Sequence, residues 1–249
     1  MNPTGRFTER AADYAAGRPS YPPGALDAIF DGFADVGSLT VADLGAGTGI
    51  SSRLMAERGA QVIAVEPNAA MRDAAEPDER VTWVAATAEA TGLEEAAVDI
   101  ATVFQAFHWF DHRRALREIV RIVRPGGRAA GIYNERDESD ECTAAYGELM
   151  RQYRTDETEA RRAEALDAFA FYEGWHRPRR IRVPNAQVLD RAGLLARMRS
   201  TSYLPKEGRA AAQLQSAVEG FFTRYARGCI VTMHMQTIVA RGETGGDGG

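Results

Sequence analysis

The run Asp43-Leu-Gly-Ala-Gly-Thr-Gly49 has the composition of a turn whose backbone must come close to a ligand. Only glycine tolerates both the conformations and the close approach that such a turn demands. Glu66 ends the next apolar run, where its carboxylate can accept hydrogen bonds from both hydroxyls of a ribose. The spacing of Gly45, Gly47 and Gly49 brings the third glycine one residue earlier than in the dinucleotide fingerprint, with Ile50 in the fingerprint's position. A nicotinamide oxidoreductase is argued against by that spacing. It is also argued against by the lack of a Tyr-x-x-x-Lys pair, since Lys206 is the only lysine. His108, within Gln105-Ala-Phe-His-Trp-Phe-Asp111, titrates near neutrality when unperturbed and is the candidate general base or substrate contact. Asp43 lies inside an apolar strand, and a buried acid needs partners. It is expected to brace the glycine turn through backbone N–H groups.

These residues need elements to hold them. Leu39–Leu44 reads as a buried strand running into the turn, and Ser51–Arg58 as a helix stopped by Gly59. Gln61–Val65, Val81–Val84, Asp99–Phe104 and Arg128–Tyr133 read as further strands. Helices are expected at Gly24–Phe33, Ala69–Ala75 and Arg114–Val123, with Pro125-Gly-Gly127 as a turn. Strands apolar on both faces and alternating with helices describe a parallel sheet covered on both sides, hence a doubly wound α/β fold. Residues 135–178 break the rhythm with charge and aromatic side chains and are read as a helical insertion, a lid. Arg180–Val183 is expected as a sixth strand, Glu207–Ala226 as a helix and Ile230–Ala240 as the last strand. The result is a seven-stranded, mostly parallel sheet in a single domain, 1–249. Residues 1–23 form an N-terminal arm, and the tail 242–249 is expected to be disordered.

Composition excludes several classes. The chain has 249 residues, 45% hydrophobic and 26% charged, with a net charge of −5. That charge offers no general attraction to nucleic acid or to anionic membrane. No apolar run approaches the ~18 residues of a membrane span, and residues 1–19 lack the apolar core of a signal peptide. Two cysteines without a CxxC pair, and no ligand cluster, imply no metal and a reduced, cytoplasmic setting. Cys229 is expected to be a buried thiol. The basic run His176–Arg182 reads as a solvated loop and edge strand, or alternatively as an attractor for a carboxylate. A monomer or a homodimer is expected.

Asp43–Gly49 is similar to motif I of the class I S-adenosylmethionine-dependent methyltransferases. Val62-Ile-Ala-Val-Glu66-Pro67 followed by Met71 resembles their second motif, and Ala86-Thr-Ala-Glu89 their adenine-contacting segment. Leu116–Gly127 resembles the helix and turn before their fifth strand. Phe7, Tyr14 and Arg18-Pro-Ser-Tyr-Pro22, together with Gln105–Asp111, look like a bacterial subgroup resembling trans-aconitate methyltransferases. The resemblance implies a Rossmann-like methyltransferase fold that binds S-adenosylmethionine. Gly45, Ala46, Gly47 and Thr48 would pass beside its methionyl part and Glu66 would hold the ribose. Pro67 and Met71 would pack on the adenine, with Ala88 and Glu89 at its edge. Gln105 and His108 would lie close to the sulfonium. Tyr14 and Arg18 would close over the cofactor, Arg18 facing its carboxylate. The implied reaction is in-line methyl transfer to a small molecule, a carboxylate or a natural-product intermediate. The alternative is a cyclase-type enzyme that uses the sulfonium only as a fixed charge, since cofactor and chemistry are separable. No Asn-Pro-Pro-Tyr-type motif marks a nucleic-acid substrate.

Overall fold

The computed structural model describes residues 19–245. In chain order they form α1 (Pro23–Phe30), β1 (Thr40–Leu44), α2 (Ile50–Glu57), β2 (Gln61–Val65), α3 (Ala69–Asp73) and β3 (Val81–Val84). Then follow β4 (Val98–Phe104), α4 (His112–Ile122), β5 (Val123–Arg136), α5 (Glu141–Tyr153) and α6 (Thr158–Ala170). The last elements are β6 (His176–Leu189), α7 (Arg191–Ser200), α8 (Gly208–Tyr225) and β7 (Val231–Glu243). One seven-stranded sheet runs β3-β2-β1-β4-β5-β7-β6. The first five strands are parallel, and β7 is antiparallel to both β5 and β6. This is the doubly wound α/β architecture that the alternating pattern implies.

The sheet is covered as its two-sided apolar strands require. Ile29 of α1 and Met55 of α2 pack with Val41 and Ile132 on one face. On the other, Leu116 and Ile119 of α4 join Phe107, Phe169 and Trp175. A separate cluster of Tyr146, Leu194, Leu214, Val218 and Met233 ties α5, α7 and α8 to the far end of β7. Side-chain caps start the helices where the sequence places acids and amides. Asn68 caps α3, Asp111 caps α4 and Asp140 caps α5.

Several boundaries differ from expectation. The 135–178 segment is not all insertion: β5 runs on to Arg136, β6 begins at His176, and two helices lie between them. Trp175 is a core residue whose Nε1 donates to the Phe169 carbonyl at 2.7 Å. Pro125-Gly-Gly127 is accommodated within β5 as a bulge, where the register against β4 jumps. Gly242–Gly245 are not tail. Gly242 lies under Trp175, where any Cβ would come within 2.4 Å of that side chain. The Thr244 N–H donates to the Gly127 carbonyl at 2.9 Å. Arg241, nearly buried, donates to the Ala28 carbonyl and to Asp31 Oδ2, while Arg128 donates to the Ile29 and Asp31 carbonyls. Two buried guanidinium groups thereby occupy the C-terminal end of α1, where helix carbonyls lack partners. Cys229 is exposed in a tight turn, not buried. The helix α7 had no sequence expectation behind it.

Candidate functional site

The turn after β1 carries three glycines with positive φ: +70° at Gly45, +58° at Gly47 and +75° at Gly49. The Gly45 and Ala46 N–H groups donate to the Val65 carbonyl, which draws the turn against the end of β2. A Cβ on Gly45 would stand 2.8 Å from Ala106 Cβ and 2.9 Å from Phe110 Cζ, so glycine is required by space as well as by conformation. Asp43 is fully buried beneath the turn. Its partners are hydroxyls, not the backbone groups expected: Ser51 Oγ at 2.6 Å, Ser52 Oγ at 2.7 Å and Thr102 Oγ1 at 3.1 Å. The turn's amides are engaged by Val65 and Glu66, leaving the acid to fasten the first turn of α2 to β1 and β4. Burial pushes the Asp43 carboxyl up to about 6, against the pull of the three hydroxyls.

Glu66 stands across from the turn. Its Oε2 accepts the Gly47 N–H at 3.0 Å and its Oε1 the Asn68 N–H at 2.9 Å. Each oxygen keeps a lone pair, enough for a vicinal diol. Burial raises the Glu66 carboxyl above the ordinary glutamate value, opposed by those two amides and by Arg72. Beside it lies a cavity of about 340 Å³ whose lining includes Gly45, Gly47, Glu66, Pro67, Met71, Ala88, Glu89 and Gln105. Phe110 and Trp109 add an apolar wall suited to a flat ring. Glu89 is held in place by the Asp111 N–H at 2.8 Å. Glu118 anchors the same loop by accepting from the Thr91 N–H and hydroxyl, and Arg121 holds its carboxyl down at about 2. Ala46 and Thr48 line a smaller adjoining cavity that shares Gly45, Gly47 and Gln105. The Thr48 Oγ1 there is buried with no hydrogen-bond partner among the described residues, a polar atom that a ligand would satisfy. Tyr14 and Arg18 lie outside the described residues.

Gln105 ends β4 with φ +55°, rare for a residue with a side chain. Its N–H donates to the Ile132 carbonyl at 2.8 Å, and its Oε1 accepts from Arg162 Nη2 at 2.5 Å. It lines both cavities above and a third, of about 320 Å³. That third cavity also contains His108, Tyr133 and Asn134. The His108 N–H donates to Tyr133 Oη at 3.2 Å, and His108 Nδ1 lies 3.3 Å from the same oxygen. Burial pushes the Tyr133 hydroxyl well up, so it keeps its proton. The far wall comes from α5, α6 and the segment after α7, through Tyr146, Glu159, Arg162 and Tyr203. Apart from Tyr14 and Arg18, the expected site residues line these cavities; the first two adjoin as one chamber at the glycine turn, and it meets the third at Gln105.

Sequence reasoning missed the far wall. Thr158, Glu159 and Arg162 lie on the same face of α6 as Ala165, Leu166 and Phe169 but nearer its N-terminus, where polar residues ordinarily read as a solvated helix start. The run His176–Arg182 contributes nothing to the lining of these chambers; it is exposed edge strand, its Arg180 paired with Asp167 at 2.9 Å. Among the described residues no cluster of His, Cys, Asp or Glu could hold a metal ion. Nor is any helix among them long and apolar enough to cross a membrane.

The fold is a Rossmann-like, doubly wound α/β architecture. The chain superposes on a provisionally assigned type II methyltransferase from Anaeromyxobacter dehalogenans with a TM-score of 0.60 at 23% identity, covering 92% of this chain and 97% of that one. The YcgJ protein from Bacillus subtilis gives 0.56 at 18% identity, over 89% and 98%. Residues 42–131 match the family model described as a methyltransferase domain, the segment that contains the glycine turn, Glu66, Gln105 and His108. An uncharacterized methyltransferase of Mycobacterium tuberculosis is 40% identical over 147 residues, 58% of each chain. A methyltransferase-like protein of Schizosaccharomyces pombe is 34% identical over 152 residues, 60% of this chain and 59% of that one. The match spans less than two thirds of the length of these curated relatives.

Proposed function

We propose that this chain is an S-adenosylmethionine-dependent methyltransferase acting on a small, polar acceptor. The observation that carries the reading is the pair of chambers joined at Gln105. One has a carboxylate, a glycine turn and an aromatic wall that suit a nucleoside, and the other is lined by arginines and glutamates in equal number. The donor set suits the cofactor. Glu66 would hold the ribose hydroxyls, Met71, Ala88 and Phe110 the adenine, and the glycine turn with Thr48 Oγ1 the methionyl end. Bound there, S-adenosylmethionine supplies an electrophilic methyl group that needs no further activation. The protein's own part is orientation and exclusion of water: Gln105 and His108 border the place where an acceptor would meet that methyl group. A chamber of about 320 Å³ suits a metabolite, not a polymer. Carboxylates, the class suggested by the resemblance to trans-aconitate methyltransferases, are the first acceptors to assay. Calorimetry with S-adenosylmethionine and S-adenosylhomocysteine tests the cofactor assignment, and absence of binding by both would overturn it. Methyl transfer from labelled cofactor across a panel of small acids tests the acceptor class.

A further inference from the structure

We propose that Tyr133 is a positioning residue that holds His108 as a hydrogen-bond donor rather than as a base. The Tyr133 hydroxyl is buried, and a buried hydroxyl must spend both its acceptor and its donor capacity. Its acceptor side is taken by the His108 backbone N–H at 3.2 Å. A backbone N–H can only donate, so the hydroxyl proton must go elsewhere. His108 Nδ1, 3.3 Å away, is placed to accept it. Tyr133 therefore donates to Nδ1, and neutral His108 carries its own proton on Nε2, on the far side of the ring from Tyr133. The ring stands in the wall of the 320 Å³ chamber.

This has a consequence for the acceptor. A histidine in this tautomer presents an N–H, not a lone pair, at Nε2. It recognises an electron-rich oxygen or nitrogen, such as a carboxylate, phenolate or carbonyl, and does not remove a proton from a hydroxyl or an amine. The neighbourhood fits that role: the Arg162 guanidinium lies 5.6 Å from the Tyr133 ring centroid and donates to the Gln105 side chain. The inference rests on the proposed methyl-transfer reading only for what His108 would touch. The tautomer itself is a property of the chain.

The test is long-range proton–nitrogen NMR on the uniformly nitrogen-15-labelled full chain at pH 8, without ligand. The sequence has four histidines, and His108→Asn assigns the signal by its disappearance. The expected result is a neutral ring with Nδ1 unprotonated and the proton on Nε2. In Tyr133→Phe the Nδ1 signal should move to the average of two exchanging tautomers. A proton on Nδ1 in the native chain, or a His108 signal unmoved by Tyr133→Phe, would overturn the proposal. The native measurement decides the matter even if the variant folds poorly. Because no turnover is measured, failure here is distinguishable from failure to bind cofactor.

Discussion

Replacing Glu66 with glutamine tests the cofactor site at the point where its geometry is most demanding. The native carboxylate accepts the Gly47 and Asn68 N–H groups at 3.0 and 2.9 Å and has one lone pair left on each oxygen. With two ribose hydroxyls donating to those lone pairs, all four acceptor sites are used. In Glu66→Gln one oxygen becomes an NH2 group. It faces a backbone N–H that it cannot accept, and one ribose hydroxyl loses its acceptor. A charge-assisted hydrogen bond contributes roughly 1.5–3 kcal/mol, and the surviving oxygen is also weakened by loss of charge. The expected cost is about 3 kcal/mol, roughly a hundredfold in Kd for S-adenosylhomocysteine. Isothermal calorimetry on native and variant chains gives the number, with circular dichroism and Tm showing that the variant is folded. A 2′-deoxyribose analogue sharpens the measurement: the native chain should disfavour it by about tenfold, the variant hardly at all. Burial raises the Glu66 carboxyl, so native binding should also weaken as pH falls, beginning above the ordinary glutamate range. A folded Glu66→Gln chain that binds within about threefold of native would refute the assignment of Glu66 to the ribose.

Gly45→Ala should lower Tm and weaken S-adenosylhomocysteine binding at least tenfold. It combines a positive φ, costing about 1–2 kcal/mol, with contacts to Ala106 and Phe110 under 3 Å. Gly126→Ala, with φ +76° and open space around it, should bear only the conformational cost and leave binding intact. Asp43→Asn should remove a pH dependence. The folded-state value near 6 lies above the ordinary aspartate value, so the native chain is favoured below about pH 4 and loses roughly 3 kcal/mol as pH rises through 6. Urea unfolding of both chains between pH 4 and 7 should show that slope in the native chain and not in the variant. Arg241→Met should cost about 1–3 kcal/mol by leaving the Ala28 carbonyl without its donor, read as a lower urea midpoint with an unchanged m-value.

The first half of the chain was legible because its constraints are local. A turn that needs positive φ at three alternate positions must be written with glycine, and strands buried on both faces must be written with apolar runs. The ends of β2 and β3 accordingly fall at the residues expected from their runs, Val65 and Val84, and β1 and β4 differ from expectation by a single residue at their starts. The second half misleads for identifiable reasons. β6 carries Pro178 and Pro184 and alternates exposed with half-buried positions, as an edge strand does, so only its Arg180–Val183 centre reads as strand. Gly242 suggests a tail, yet its lack of a side chain is what lets β7 pass beneath Trp175. Asp43 was expected to use backbone donors because those are the donors a turn usually offers. The donors it uses, Ser51, Ser52 and Thr102, come from a helix start and from a strand whose register opposite Asp43 is set by folding.

The two chambers differ in how their residues are specified, and that difference accounts for what the sequence discloses. The chamber at the glycine turn is shaped by backbone: glycines, strand ends, and a carboxylate held by the amides of Gly47 and Asn68. Changing any of these damages the fold along with the site, so the pattern reads as a motif. The chamber at His108 is shaped by side chains reaching in from β5, α5, α6 and the segment after α7, elements whose packing depends on other faces. Tyr146, Glu159, Arg162 and Tyr203 could change without disturbing β1 or its turn. Gln105 belongs to both systems. Its positive φ and its bond to Ile132 tie it to the sheet, while its side-chain oxygen is held by Arg162 from α6. The wall between the two chambers is therefore positioned by α6 as well as by the sheet. A change of acceptor through α6 would act on Gln105, and hence on the cofactor-side wall, without altering any residue of the glycine turn.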